Sequence, residues 1–275
     1  MLSNSRGISD IGERIAGKWN ALRTLLLFQR YLFNWPAVWA AYHQLQPVPP
    51  LQLRGGLTIE YGVQDDPIVL LWEIFGSRVY DRGGFYRPKT GDTNFDFGAN
   101  IGMFAIYLQW IARGVTVHCF EPGIDTFKQL QRNIEVNRLG DSVHAYNCAI
   151  ADREGTALLG GGQSLVRALV TGDEASRCTG EPVRTIDMNC ALEMAGVSQV
   201  DLLKIDVEGS EVEIVKGAGP VALRKVRRVV AEIHDNVRPG AHDSVVRGLK
   251  RAGFKIVREF DLPSHMGPTI LQASR

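Results

Sequence analysis

The sequence has little cysteine, and the spacing of the few it has excludes two common kinds of site. Its four cysteines form no C-x-x-C pair, and no histidine cluster lies near them. A zinc ribbon and a thioredoxin-like redox motif both need such pairs. We therefore expect buried thiols in a reducing, cytoplasmic compartment, at Cys119, Cys148, Cys178 and Cys190.

The chain also lacks an excess of charge of either sign. Thirty-one Lys and Arg stand against thirty Asp and Glu, for a net charge of +1. This balance removes the main sequence argument for a nucleic-acid partner. The charge is unevenly spread, because residues 1–54 carry six basic and two acidic side chains. This segment, the basic leader, is the least acidic part of the chain.

A long hydrophobic run is missing as well. Residues 31–53 carry no charge, but polar residues and prolines interrupt them and leave no block of about 18 apolar residues. The first ten residues also lack the apolar run of a secretory signal. The leader is rich in tryptophan, which suits a helix on a membrane surface or one packed on a domain or second subunit. We predict a helical appendage over residues 1–50 and favour packing or a homodimer over peripheral membrane contact.

After residue 92 the sequence alternates between apolar strands and amphipathic helices. This alternation predicts a doubly wound, mostly parallel α/β sheet of seven strands. The turn around residues 264–267 is too short for a crossover helix, so the last strand must be antiparallel. The predicted strands are 93–98, 115–121, 143–150, 200–206, 228–234, 254–261 and 268–273, and the predicted helices are 101–112, 124–138, 210–218 and 241–252.

Two segments stand apart from this alternation. Residues 51–92 predict a hairpin that turns at Gly55–Gly56 and a helix that leads into the core at 93–275. Residues 155–185 contain no clear helical pattern. They include a run of glycines, after which apolar and polar residues alternate. We predict an inserted hairpin there.

The string FDFGANIG, residues 95–102, has the residues of a ligand-binding turn between a strand and a helix. Gly98 and Gly102 allow the backbone to approach a ligand closely. Glu121 ends the next strand, where an acid can accept hydrogen bonds from both ribose hydroxyls. An NAD site would need glycine at position 100, where this chain has Asn100, and no second domain follows the sheet.

Acidic residues and a histidine follow two later strands. Asp206 and Glu208 end the strand in VDLLKIDVEGSE, and Glu232, His234 and Asp235 end the next one. Parallel strands present their carboxyl ends to one crevice, so we expect Asp206, Glu208 and His234 to converge there as acid-base candidates. For Glu211 we favour a simple electrostatic role at a helix N-terminus.

These motifs, in their order and spacing, resemble the FkbM-type methyltransferases, which are S-adenosylmethionine-dependent O-methyltransferases of the class I fold. The resemblance covers roughly residues 51–262. It implies that Asp206 and Glu208 face the methyl group and the acceptor. It further implies that Asp96, Gly98, Asn100 and Gly102 shape the methionine pocket, that Glu121 holds the ribose, and that Asn147 to Ala149 border the adenine.

The implied reaction is methyl transfer from S-adenosylmethionine to a hydroxyl of a sugar, glycoside or other natural product, a small-molecule or glycan acceptor. The sequence DVEG at 206–209 departs from the Pro-Pro pattern of nucleobase N-methyltransferases, which favours oxygen. A divalent metal at Asp206, Glu232 and His234 stays open but is not favoured, because spacing alone cannot establish ligands. Two alternatives remain: an RNA ribose methyltransferase that uses the basic cluster at 224–228, and a non-catalytic scaffold that retains the fold.

Overall fold

The computed structural model describes residues 21–62, 65–160, 168–170, 180–261 and 268–275. In the N-terminal part, residues 21–31 form helix α1. The elements that follow are α2 (Trp35–His43), β1 (Leu51–Gln52), β2 (Thr58–Ile59) and α3 (Pro67–Leu71). α3 continues into a π-helical turn at Trp72–Gly76, and β1 and β2 form the predicted antiparallel hairpin.

The core contains the remaining elements. In chain order they are β3 (Thr93–Phe97), α4 (Met103–Ile111), β4 (Thr116–Phe120), α5 (Ile124–Val136), β5 (Val143–Tyr146), β6 (Ala149–Ile150), β7 (Gly155–Gly160), β8 (Ala168–Val170), β9 (Gly180–Ile186), α6 (Met188–Ala195), β10 (Leu202–Ile205), α7 (Glu211–Leu223), β11 (Arg228–Ile233), α8 (Ala241–Arg251), β12 (Lys255–Asp261) and β13 (Thr269–Ser274).

Seven of these strands form the predicted doubly wound sheet, in the order β12-β13-β11-β10-β3-β4-β5. β13 pairs antiparallel with β11 and β12, while the neighbours from β11 to β5 pair in parallel. The antiparallel last strand is confirmed. One face of the sheet packs on α1, α3 and α4, and the other on α6, α7 and α8. The carboxyl ends of β3, β4, β10 and β11 therefore lie along one edge of the sheet.

The structure corrects the segment 143–150, which the sequence predicts as one strand. β5 ends at Tyr146, and β6 belongs to a separate four-stranded sheet, β6-β9-β7-β8. The break falls at Asn147, whose side-chain amide donates to the carbonyls of Glu121 and Pro122 at 2.9 Å each. This residue is held by the turn after β4 rather than by a strand partner.

Two helices also differ from prediction. α6 was not predicted, although Asp187 caps it by accepting from the Cys190 amide at 2.9 Å, which is an ordinary helix start. α7 extends to Leu223, beyond the predicted end at 218, across a kink at Gly219 and Pro220. The first helix is too short to show a clear helical period in the sequence. The Gly-Pro pair in the second is typical of a helix end, so the predicted helix stopped before it.

The inserted segment and the cysteines are only partly described. β7 pairs antiparallel with β8 and with β9, while residues 161–167 and 171–179, with Cys178, lie outside the described ranges. Cys119 and Cys148 are buried as expected. Cys190 is half-buried, since it lies in the first turn of α6, so the expectation of a buried thiol is wrong there.

The leader packs on the core through one face of α1. Phe28 and Leu32 are fully buried, and the Tyr31 ring lies edge-on to Phe75 and Trp110 at centroid distances of 5.4 and 5.5 Å. Phe33 is 72% exposed just after the helix. Within the described ranges, no helix combines the length and hydrophobicity needed to cross a bilayer. A homodimer and a membrane-surface contact stay predictions, and Trp19 lies outside the described residues.

Two asparagines of the α5 region hold the hairpin strand β2. Asn133 accepts from the Glu60 amide at 2.8 Å and donates to the carbonyls of Glu60 and Ile101 at 2.9 and 2.8 Å. One turn later, Asn137 accepts from the Thr58 amide at 2.7 Å and donates to its carbonyl at 2.6 Å. Each side-chain amide therefore makes the pair of backbone hydrogen bonds that a neighbouring strand would make. These bonds hold the segment before the core on α5.

We expect Asn133→Ala to lower the free energy of unfolding by about 1–3 kcal/mol, because it leaves buried backbone groups without partners. Denaturant titration measures the change, and Gln131→Ala on the exposed face of α5 is the matched control. An unfolding midpoint equal to that of the control would show that this amide does not stabilise the fold.

Candidate active site

The glycine turn after β3 approaches the end of β10 closely. Gly98 has a φ of 78°, and a Cβ added there would lie 1.8 Å from the backbone oxygen of Asp206. Gly102 has a φ of 85°, and its Cβ would lie 2.5 Å from a Leu130 methyl group. Asn100, between them, also has a positive φ, of 50°. The conformation and the lack of space both require glycine at position 98.

Glu121 lies against this turn, at the end of β4. Its carboxylate accepts hydrogen bonds from the amides of Asn100 and Gly123, at 2.9 Å each. The side chain is only 8% exposed, so it is less accessible to solvent than we expect of a residue at the end of a strand. Burial raises the pKa of Glu121 to about 7, although the two amide hydrogen bonds lower it. A carboxylate held in this way is positioned by the backbone before any ligand binds.

A buried ion pair lies beneath the turn. Lys204, from β10, donates to Asp96 of β3 and to the Gly98 carbonyl, at 2.9 Å each. The side chains of Lys204 and Asp96 are 3% and 0% exposed. Burial lowers the pKa of Lys204, but the negative charges of Asp96 and Asp206 outweigh it and hold that pKa above its ordinary value. Asp96 therefore supports the turn from below with a fully buried side chain, and its part in shaping the methionine pocket stays a prediction.

Asp206, Glu208, Glu232 and His234 lie at the carboxyl ends of β10 and β11 and form what we call the rim. Tyr80 connects two of its carboxylates. Its hydroxyl lies 2.9 Å from Asp206 Oδ2 and 3.2 Å from Glu232 Oε1. The ring is buried, and the Lys204 ammonium lies 5.2 Å from its centroid. Burial, followed by the charge of Asp206, raises the pKa of both Tyr80 and Glu232 well above their ordinary values. No local spacing connects Tyr80 to the rim, so the sequence alone predicts no role for it.

His234 lies between two glutamates. Its Nδ1 is 2.7 Å from Glu211 Oε1, and its Nε2 is 3.3 Å from Glu208 Oε2. Glu211 is fully buried and also accepts from the Gly209 amide at 2.9 Å, so our expectation of a simple helix-terminus role for it is wrong. Burial lowers the pKa of His234, but the hydrogen bond to Glu211 and the charge of Glu208 raise it to about 9.

Glu208 is the more open of these two glutamates. Its side chain is 23% exposed, and its φ of 52° places it in the left-handed region that non-glycine residues seldom adopt. Such conformations cluster at functional sites. Burial and the neighbouring charge of Asp206 raise the pKa of Glu208 to about 7.

The predicted residues therefore meet at one edge of the sheet. Asp206, Glu232 and His234 each offer one atom within 4.8 Å of the others, and Glu208 contacts His234. Asp235 does not join them, because its exposed carboxylate accepts from the His242 amide at 3.0 Å at the start of α8.

The basic cluster of the RNA alternative lies at the opposite edge. Arg228 begins β11 and His234 follows its end, so about six residues at roughly 3.3 Å each separate them. Arg227 pairs with Asp201 at 2.7 Å, just before β10 begins. These cations therefore do not line the crevice that holds the acidic rim.

Comparison with known proteins agrees with this architecture. Residues 96–256 match the family described as the methyltransferase FkbM domain. The chain is 34% identical over 256 residues to the 31-O-demethyl-FK506 methyltransferase FkbM of Streptomyces tacrolimicus, a match that covers 82% of this chain and 96% of that protein. It is 31% identical over 151 residues to the hexuronic acid methyltransferase AglP of Haloferax volcanii, which covers 54% of this chain and 58% of that protein.

Among solved structures, the methyltransferase FkbM from Methylobacillus flagellatus matches with a TM-score of 0.53 at 16% identity. The match covers 92% of this chain and 58% of that one, and it supports the fold alone. The family match spans more than half of the chain, and it includes the glycine turn, Glu121 and the acidic rim. The chain therefore belongs to the FkbM methyltransferase family and is an S-adenosylmethionine-dependent methyltransferase.

Proposed function

We propose that the chain transfers a methyl group to a hydroxyl oxygen of a sugar, glycoside or other natural-product acceptor. The observation that carries this proposal is the convergence of Asp206, Glu208 and His234 at the same sheet edge as the glycine turn. The backbone of Asp206 touches that turn where a Cβ on Gly98 would lie. A cofactor in the turn and an acceptor at the rim would therefore be neighbours.

The residues of the turn fit S-adenosylmethionine. Gly98 and Gly102 keep side chains out of the space beside the strand end. The Asn100 side chain folds back onto the Ile101 amide at 2.6 Å, and Glu121 presents a carboxylate suited to ribose hydroxyls. Asn147 and Ala149 would border the adenine, because Asn147 is hydrogen-bonded to the turn that follows Glu121. When bound, the cofactor supplies a methyl group already activated on a sulfonium.

The rim residues supply what an alcohol acceptor lacks, which is a group to take its proton. Glu208 suits this role best. Asp206 already accepts from Tyr80 and lies 3.5 Å from Lys204, and both nitrogens of His234 have partners. The ion-pair partner found for Glu208 in the described ranges is His234, and its side chain keeps an exposed part. Its carboxylate would take the hydroxyl proton as the oxygen-carbon bond forms, while His234 orients it.

The acceptor class is supported by the names of the relatives and by the charge of the rim. The Streptomyces protein is named for methylation at an oxygen, and the Haloferax protein for a hexuronic acid. An RNA acceptor would bring phosphates to a crevice lined by Asp206, Glu208 and Glu232. Like charges repel, so a polyanion fits this rim poorly.

Mass spectrometry with methyl-deuterated S-adenosylmethionine tests the proposal. The enzyme is incubated with separate pools of glycosides, uronic acids, hydroxylated macrolactones and unmodified RNA. We expect the label on an oxygen of one of the first three pools, with S-adenosylhomocysteine formed in equal amount. Label on nitrogen, carbon or RNA alone would contradict the proposed acceptor class.

Glu121→Gln should weaken the binding of S-adenosylhomocysteine roughly 10- to 150-fold, because it removes a charged acceptor worth about 1.5–3 kcal/mol. Isothermal titration calorimetry measures the dissociation constant. Glu135→Gln on the exposed side of α5 is the matched control, and unchanged affinity in Glu121→Gln would reject the ribose role.

The same titration has an expected pH dependence. With the pKa of Glu121 at about 7, this carboxylate is ionised above that value and becomes protonated as the pH falls through it. An ionised carboxylate is the stronger acceptor, so wild-type affinity should fall between about pH 8 and about pH 6. The Glu121→Gln variant should show a flatter dependence over that range.

A further inference from the structure

The rim holds more carboxyl groups than its own cations would balance if all of them were ionised. Five carboxyl groups lie within one connected set of contacts, and two cationic side chains, Lys204 and His234, face them. Lys204 is already engaged by Asp96 at 2.9 Å. Buried carboxylates are stable when they are paired, protonated or bound to a metal. The five carboxyl groups are those of Asp96, Asp206, Glu208, Glu211 and Glu232.

The hydroxyl of Tyr80 cannot correct this excess. It lies within hydrogen-bond distance of Asp206 and of Glu232, but a phenol has one proton to donate. Glu232 is 8% exposed, and Tyr80 is the hydrogen-bond partner found for it in the part of the chain that the structure describes. Asp206 also lies 3.5 Å from Lys204, so Glu232 is the carboxyl group that depends on this single proton.

His234 is oriented as a metal-binding histidine is. The 2.7 Å contact between its Nδ1 and Glu211 Oε1 fits a ring that keeps a proton on Nδ1. A metal ion at the rim would displace the proton on Nε2 and bind the lone pair that this leaves. A buried carboxylate behind the ring is the usual outer partner of a histidine ligand, and it raises the basicity of that ligand. The second oxygen of Glu211 is fully buried without a hydrogen-bond partner, so this carboxylate adds negative charge next to the ring.

We propose that Asp206, Glu232 and His234 bind one divalent cation of the Mg²⁺ and Mn²⁺ class. One ligand atom from each lies within 4.8 Å of the others. Opposite ligands of an ion of this class lie about 4.2 Å apart, so a bound ion would draw these side chains slightly together. Two carboxylates and one imidazole suit such an ion, which keeps further positions for water or an acceptor oxygen. The spacing of the sequence left this site open, and the geometry of the fold now favours it.

The role of the ion rests on the proposed function, whereas its binding rests on the ligands alone. An acceptor hydroxyl bound to the ion would be polarised and would lose its proton more readily. His234 Nε2 would then face the ion instead of Glu208, which frees the Glu208 carboxylate to take that proton. The oxygen-carbon bond forms as the carbon-sulfur bond breaks, and sulfur keeps the electron pair.

Mn²⁺ titration of the full, tag-free chain, stripped with a chelator, tests binding without reference to activity. Electron paramagnetic resonance reports the loss of the free Mn²⁺ signal, and we expect one bound ion per chain that Mg²⁺ displaces. Glu232→Gln and Asp206→Asn, which keep the side-chain shapes, should each weaken binding at least tenfold. Glu211→Gln should weaken it roughly 10- to 100-fold as an outer partner. Asp243→Asn, an exposed acid on α8, is the matched control and should bind as the wild type does.

The outcomes separate the two proposals. No saturable Mn²⁺ binding by the wild type, or binding that Glu232→Gln and Asp206→Asn leave unchanged, would overturn the metal site. If the stripped enzyme still methylates a hydroxyl at full rate, the metal role falls and the proposed function stands. If Mn²⁺ binds with the expected variant pattern but no hydroxyl is methylated, the metal site stands and the proposed function falls.

Discussion

Glu208→Gln should lower turnover by about 10²- to 10⁴-fold while S-adenosylhomocysteine binds with nearly unchanged affinity. A positioned base contributes that much to a proton transfer, and it acts in the transition state rather than in cofactor binding. Glutamine keeps the shape of Glu208 and its contact with His234 Nε2, which lies 3.3 Å from the carboxylate, but it cannot take a proton.

The measurement is the single-turnover rate of labelled methyl transfer, with calorimetry for the cofactor product. Glu213→Gln, a half-exposed acid on α7 that pairs with Arg238, is the matched control and should remain fully active. Wild-type turnover in Glu208→Gln would remove this residue from the chemistry. A loss of rate matched by an equal loss of cofactor affinity would instead make it a binding residue.

The edge of the sheet that holds the site was predictable because each strand that reaches it is an apolar run followed by an acid, a glycine or a histidine. FDFG, HCFEP, KID and AEIH follow this pattern, and parallel pairing then brings the four strand ends together. The pattern does not identify partners across strands. Spacing could not show that Glu211 holds His234 or that Tyr80 joins Asp206 and Glu232, because those contacts depend on tertiary packing.

One missed residue did leave a signal in the sequence. Lys204 interrupts the apolar strand LLKI, and Asp96 similarly interrupts FDF in the neighbouring strand. A charge within a fully buried strand is rare unless it is paired. The two positions lie directly opposite each other in the parallel register of β10 and β3. The acidic residues and the histidine of the rim were therefore easier to predict from the sequence than the ion pair that supports them.

Replacing the lysine of that pair should have the largest effect on stability. We expect Lys204→Met to lower the free energy of unfolding by about 3–5 kcal/mol, because it leaves Asp96 charged and buried without a partner. For a chain of this size that corresponds to a fall in the melting temperature on the order of 6–20 °C. Lys216→Met, an exposed lysine on α7, is the matched control and should melt with the wild type.

The double variant Lys204→Met with Asp96→Leu separates a charge effect from a packing effect. If the cost of the single variant comes from the unpaired carboxylate, removal of that carboxylate should recover most of the lost stability, since apolar replacements of buried ion pairs are often neutral. If the cost comes from lost volume, the second substitution should recover nothing, and the two losses should add. Lys204 also donates to the Gly98 carbonyl, so the double variant should fold but bind S-adenosylhomocysteine more weakly than the wild type. Wild-type affinity in that folded variant would show that the glycine turn does not depend on the lysine beneath it.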